Sequence, residues 1–93
     1  MMVQPEDQHR ETATKLKELT RRMAQTIVTH PDQVQVKEEG ENAATIFLEL
    51  SVHPEDMGRV IGKKGRVANA MRTLLRTSAA QEGMRVYLDV VEP

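Results

Sequence analysis

The chain has 93 residues, no cysteine and a formal net charge of −1. That length suffices for one domain with its own core, and the missing cysteines exclude a disulfide scaffold and a cysteine-held zinc site. The longest apolar runs are a few residues, as in Ile46-Phe47-Leu48, too short for a membrane span or a signal-peptide core, so a soluble cytoplasmic protein is expected.

Met1 to about Arg10 is polar, contains Pro5 and shows no apolar period. This predicts a flexible N-terminal tail over residues 1–10, ahead of a single domain over residues 11–93. From Glu11 to Thr29, Leu16, Leu19, Met23 and Ile27 recur at helical spacing. His30-Pro31-Asp32 ends that helix, because a residue before proline is pushed out of the α region. Gln33 to Glu38 alternates, with Val34 and Val36 on one face, and Ala44 to Val52 alternates more strongly, with Ile46, Leu48, Leu50 and Val52 on one face. Two antiparallel strands joined by a turn at Glu39-Gly40-Glu41-Asn42 are predicted.

His53-Pro54-Glu55-Asp56 reads as a helix start, with proline at the first helical position and two carboxylates at the positive end of the dipole. The short helix runs from Pro54 to Ile61, and Gly62 breaks it. A second begins near Gly65 and runs to about Gln81, with Val67, Ala70, Met71, Leu74, Leu75 and Ser78 as its apolar face; Gly83 stops it. Met84 to Val91 alternates again, with Val86, Leu88 and Val90 inward. The order α-β-β-α-α-β predicts an α+β fold, a three-stranded sheet covered on one face by three helices.

Charge is segregated along this order. Met57 to Gln81 holds Arg59, Lys63, Lys64, Arg66, Arg72 and Arg76 and no acidic residue, while the rest of the chain carries −7. Such a segment offers phosphates a positive surface even when the total is near zero. A solvated helix face has the same composition, so position matters. Gly62-Lys63-Lys64-Gly65 falls between two predicted helices. Glycine permits positive φ and close approach of a ligand backbone. The first amides of the following helix, with its dipole, favour an anion. Lys63, Lys64 and Arg66 add mobile positive charge. A phosphodiester backbone matches this set. Arg59, Val60, Ile61 and Val67 flank the turn and border a groove for bases, with some of the three aliphatic side chains expected to face the core instead. Phe47 and Tyr87 are the sole aromatics, which argues against an aromatic base-stacking platform.

Val60-Ile61-Gly62-Lys63-Lys64-Gly65 resembles the KH-domain signature, whose GXXG loop clamps about four nucleotides of single-stranded RNA. The element order resembles the type II KH arrangement. From about Glu11 to Val91 the chain resembles the KhpA (YlqC) family of bacterial single-KH proteins, on His30-Pro31-Asp32-Gln33-Val34, on Pro54 through Arg66 and on Met71-Arg72-Thr73. The resemblance implies a cytoplasmic RNA-binding protein, a post-transcriptional regulator or RNA chaperone. It further implies a homodimer or a heterodimer with a KhpB/Jag-type KH protein, and a link to cell shape and cell-wall biogenesis. One departure stands out: KH signatures usually carry isoleucine three residues after the second glycine, where this chain has Ala68.

Other chemistry finds less support. Gly58 and Gly62 are one residue too close for a Walker loop, and no Lys-Ser/Thr pair follows. His9, His30 and His53 are scattered, and two precede proline, so they read as turn or cap residues, not metal ligands. Glu55 and Asp56 are adjacent and point apart. No catalytic set and no cofactor site emerge. Two alternatives remain: a protein-interaction module using the first helix or the Phe47 face, and a single-stranded DNA binder using the same turn.

Overall fold

A polar opening turn conceals where the first helix begins. In the computed structural model, which describes residues 5–39 and 44–92, α1 spans Pro5–Ile27. Residues 5–10 are thus helical where the sequence predicts a tail. Proline fits a first helical turn because its missing N–H has no partner there. The contacts holding this turn are polar: His9 Nε2 lies 3.0 Å from the Thr45 carbonyl, and Gln8 Nε2 donates to Glu82 at 2.9 Å. Hydrophobic spacing does not register such contacts. Further along, Ala13, Leu16, Thr20 and Ala24 are buried, and Leu19, Met23 and Ile27 pack at the margins. The Thr20 hydroxyl is satisfied within the helix, donating to the Leu16 carbonyl at 2.7 Å.

A 3-10 turn, Pro31–Gln33, leads to β1 (Gln35–Glu39), which pairs antiparallel with β2 (Thr45–Ser51), Val36 opposite Leu50. Beyond Glu39, the predicted turn lies outside the described residues. A 3-10 turn at Pro54–Asp56 precedes α2 (Met57–Ile61), so the expected helix from Pro54 begins as a tighter coil. After α3 (Arg66–Gln81), β3 (Arg85–Val91) joins the far side of β2 in parallel, Leu48 opposite Leu88, giving the order β1-β2-β3. The α-β-β-α-α-β order and the α+β class are those expected, with the helices on one face. Inward Val36, Ile46, Leu48, Leu50, Val86 and Leu88 meet Leu16, Val60, Met71 and Leu75 in one core.

The buried stripe of α3 is Ala68, Met71, Leu75 and Ala79. Ala70 and Leu74, expected to face the core, are exposed, Leu74 by 56%. Steps of three and four residues make a narrow stripe, and a helix seated closely through two alanines turns its neighbours outward. No helix among the described residues is long and apolar enough to cross a membrane.

One buried charge fixes the site-bearing half against the rest. Asp56 is fully buried at the start of α2. Its Oδ1 accepts from the Thr29 amide (2.9 Å) and hydroxyl (2.8 Å), and its Oδ2 from the His30 amide (3.0 Å), with His30 Nδ1 at 3.1 Å. Arg59 Nε approaches to 3.8 Å. Burial pushes the carboxyl up, but the bonds from Thr29 and His30 more than offset this and hold it well below its ordinary 3.8. A depressed carboxyl stabilises the fold above its unfolded value, and that contribution is lost as pH falls through the folded one. The Tm of the native chain should therefore drop below about pH 4. Asp56→Asn should lower Tm by roughly 10 °C at neutral pH, since an amide nitrogen would face donors. Its Tm should also fall less between pH 5 and pH 3 than that of the native chain, as thermal melts over that range will show.

Candidate functional site

The turn between α2 and α3 is built from backbone conformations that side chains resist. α2 ends at Gly62, whose amide donates to the Gly58 carbonyl at 2.8 Å; the Gly65 amide then donates to the Gly62 carbonyl at 3.1 Å. Gly62 has φ 76°, ψ 169°, a region open almost solely to glycine. Lys64 (φ 57°, ψ 26°) and Gly65 (φ 74°, ψ 13°) are both left-handed. Lys64 is the one non-glycine residue with positive φ among the described residues, at a cost of roughly 1–2 kcal/mol. The two glycines differ in role. A Cβ on Gly62 would stand 2.5 Å from Val67 Cγ2 and 2.8 Å from the Val67 amide nitrogen, whereas one on Gly65 would meet only Asn69 Nδ2, at 3.6 Å. Gly62 therefore permits the close packing of α2 against the start of α3. Gly65 leaves the N-terminus of α3 open, and as N-cap it has no side chain with which to cap it.

The structure gathers most, but not all, of the expected residues at the surface. Lys63, Lys64 and Arg66 are exposed. Among the described residues none of the three is paired with a carboxylate. Ile61 is 38% exposed beside the turn and Val67 is half-buried. Arg59 is exposed and leans toward Asp56. Val60 is the correction: it is fully buried, so it supports the turn from beneath and has no surface to offer a base. Ala68, where KH signatures usually have isoleucine, is also buried, so this departure changes packing under the groove.

Arg72 is a residue to which the sequence pattern assigns no place in the site. Its Nε donates to the Leu88 carbonyl at 3.0 Å and its Nη1 to Asn69 Oδ1 at 3.0 Å. β3 is an edge strand, and the Leu88 carbonyl points away from β2 because Arg72 reaches it from α3. Residues 86 and 90 of the same strand turn their backbone groups to that side too. Arg66, Asn69, Arg72 and Arg76 follow one another at helical steps, so one stripe of α3 leads from the turn to the β3 seam. The missing signal was topological, since the sequence alone does not say that β3 forms the edge beside α3.

The histidines gather in part. The His30 and His53 rings stack, centroids 3.8 Å apart and planes 10° apart, with Glu55 nearby. A metal binds in the plane of an imidazole, about 2.0–2.1 Å from its nitrogen. Two parallel planes this far apart cannot share one ion in that way. Their observed roles are structural: His30 faces Asp56, and His53 Nδ1 accepts from the Glu55 amide at 3.1 Å.

Comparison with known proteins bears on this geometry. Residues 17–90 match the model of the KhpA/KhpB KH domain family. The RNA-binding protein KhpA of Clostridium acetobutylicum is 47% identical over 77 residues, which cover 82% of this chain and all of that protein. The RNA-binding protein KhpA of Halalkalibacterium halodurans is 43% identical over 77 residues, covering 83% of this chain and all of its own. Among solved structures, Era in complex with MgGDPNP and nucleotides 1506–1542 of 16S ribosomal RNA superposes with a TM-score of 0.58 at 23% identity, over 83% of this chain and 29% of that one. This last likeness supports the type II KH fold.

The unequal glycines make a direct prediction. Gly65→Ala should lower Tm by about 5 °C, the strain of a left-handed alanine. Gly62→Ala should lower it by more than about 10 °C, since strain and the Val67 collision add. Thermal melts of both variants, followed by circular dichroism, will compare them.

Proposed function

The chain belongs to the KhpA/KhpB KH-domain family, a non-enzymatic family, and on that premise we propose that it binds single-stranded RNA at the α2–α3 turn. The observation carrying this reading is the set of cations Lys63, Lys64 and Arg66, unpaired among the described residues, around a helix N-terminus that no side chain caps. Phosphates lie along the turn, where Gly65 gives them backbone access. Bases turn into the groove bordered by Ile61 and Val67 and by the seam of α3 with β3. Arg59 stands at its margin. Aliphatic walls and edge-strand backbone groups receive the bases in place of an aromatic platform. The related proteins named as RNA-binding support the same assignment.

The turn clamps backbone and reads little sequence, so a single module binds modestly. Pairing, as a homodimer or with a KhpB/Jag-type KH protein, raises the affinity through a second site. In that state the protein acts as a post-transcriptional regulator or RNA chaperone in the cytoplasm, with control of cell shape and cell-wall growth as its outcome.

Fluorescence anisotropy with a short labelled oligouridine tests this. Three neutralised phosphates give a log–log salt slope near −2, so affinity should fall roughly twentyfold between about 50 and 200 mM salt. Replacing Lys63 and Lys64 together by Asp should weaken binding at least about tenfold at the lower salt. Aspartate tolerates the left-handed position at residue 64, and both side chains are exposed, so Tm should move by no more than about 3 °C. Unchanged binding in this variant would show that the turn serves only the fold. A deoxyuridine oligonucleotide of equal length separates RNA from single-stranded DNA preference.

A further inference from the structure

The sheet face opposite the helices carries an arrangement that folding alone does not favour. β2 and β3 place Phe47 opposite Tyr87 and Glu49 opposite Asp89. β1 adds Glu39 beside Phe47 and Lys37 beside Glu49. The two rings stack with centroids 5.4 Å apart, yet they remain 39% and 54% exposed. Like charges directly opposite each other destabilise a sheet. Partial burial and the adjoining Glu39, then Asp89, push the Glu49 carboxyl up, with Lys37 acting against them. Glu39, Glu49 and Asp89 line a shallow groove of about 550 Å³ together with Phe47, Leu48 and Tyr87. Lys37 and Arg85 stand outside this lining.

Exposed aromatic rings on an open sheet are a layout on which some RNA-binding folds stack bases. Here three carboxylates surround them and repel the phosphates that accompany bases. A guanidinium suits both parts of the groove. Its flat face lies over an aromatic ring, and its N–H fork is accepted by carboxylates. We propose that the open sheet face is a protein-docking surface whose occupant is a basic segment of a partner protein, with an arginine over Tyr87 held by Glu49 and Asp89. A second copy of this chain is a poorer occupant. The cations it clusters, Lys63, Lys64 and Arg66, lie at the α2–α3 turn on the helical side, so self-docking through them would cover the surface assigned to RNA. With a separate partner, protein and RNA occupy opposite faces of one module.

The probe is a short peptide alternating arginine and valine, titrated into the 15N-labelled chain. Saturable shifts should centre on Glu39, Phe47, Glu49, Tyr87 and Asp89. Replacing its arginines by citrulline, which keeps the shape and removes the charge, should weaken binding at least about tenfold. Tyr87→Ser, and separately the double variant Glu49→Gln with Asp89→Asn, should each weaken it several-fold. The double variant should melt no lower than the native chain, because the opposed charges oppose folding. Shifts confined to other surfaces, equal binding of the citrulline peptide, or a lower Tm for the double variant would overturn the proposal. So would sheet-face resonances that move with oligouridine, or that move on diluting the chain alone, which would make RNA or a second copy the occupant.

Discussion

A carboxylate with no contact to water must find its donors within the protein, and those donors then define what can move. Asp56 takes its donors from Thr29 and His30, which follow the end of α1, while its own backbone begins α2. The bonds join segments about 26 residues apart in sequence. Removing one partner of such a set strands a buried charge, so the arrangement behaves as a unit. Its geometric effect is to hold the entry to α2. α2 is only five residues long and has little helical cooperativity of its own. Its direction is set at one end by Asp56 and at the other by the contact of Gly62 with Val67.

Between those two anchors the turn sustains conformations that an unconstrained chain avoids. Gly62, Lys64 and Gly65 all have positive φ. Glycine adopts this without a Cβ clash, but Lys64 does so at a cost that packing around it must sustain. The side chain gains neither a salt bridge nor burial in return: Lys64 is exposed and unpaired among the described residues. A strained, solvent-facing cation next to a helix start without a side-chain cap is poorly explained by stability, which supports the anionic ligand proposed for the turn.

Most of the fold was legible because its strands alternate cleanly and its helix breaks fall at Gly62 and Gly83, so element order followed from hydrophobic period and punctuation alone. Where the sequence misled, the interactions were not hydrophobic. The first turn of α1 is held by His9 and Gln8, which carry no periodic signal. Leu74 looks like core by residue type, yet the stripe that meets the sheet is narrower than the apolar arc. For the site, the four-residue turn was readable from composition and position. Which of Val60, Ile61 and Val67 faces the core was not legible, because neighbours along a short helix differ in burial with a phase that only tertiary packing sets. Arg72 had no assigned place in the site because its role depends on which strand forms the edge.

The near-zero net charge hides two unlike local clusters. The α2–α3 turn carries Lys63, Lys64 and Arg66, none of them in a salt bridge among the described residues, while the open sheet face sets Glu49 against Asp89 around exposed rings. Were solubility the only demand, interspersed signs would serve it with less self-repulsion. Keeping Lys63, Lys64 and Arg66 together at the turn, and Glu49 against Asp89 on the sheet, is unfavourable within the isolated chain. The ligand of opposite sign proposed for each cluster would offset that cost, and the two clusters lie on opposite sides of the sheet.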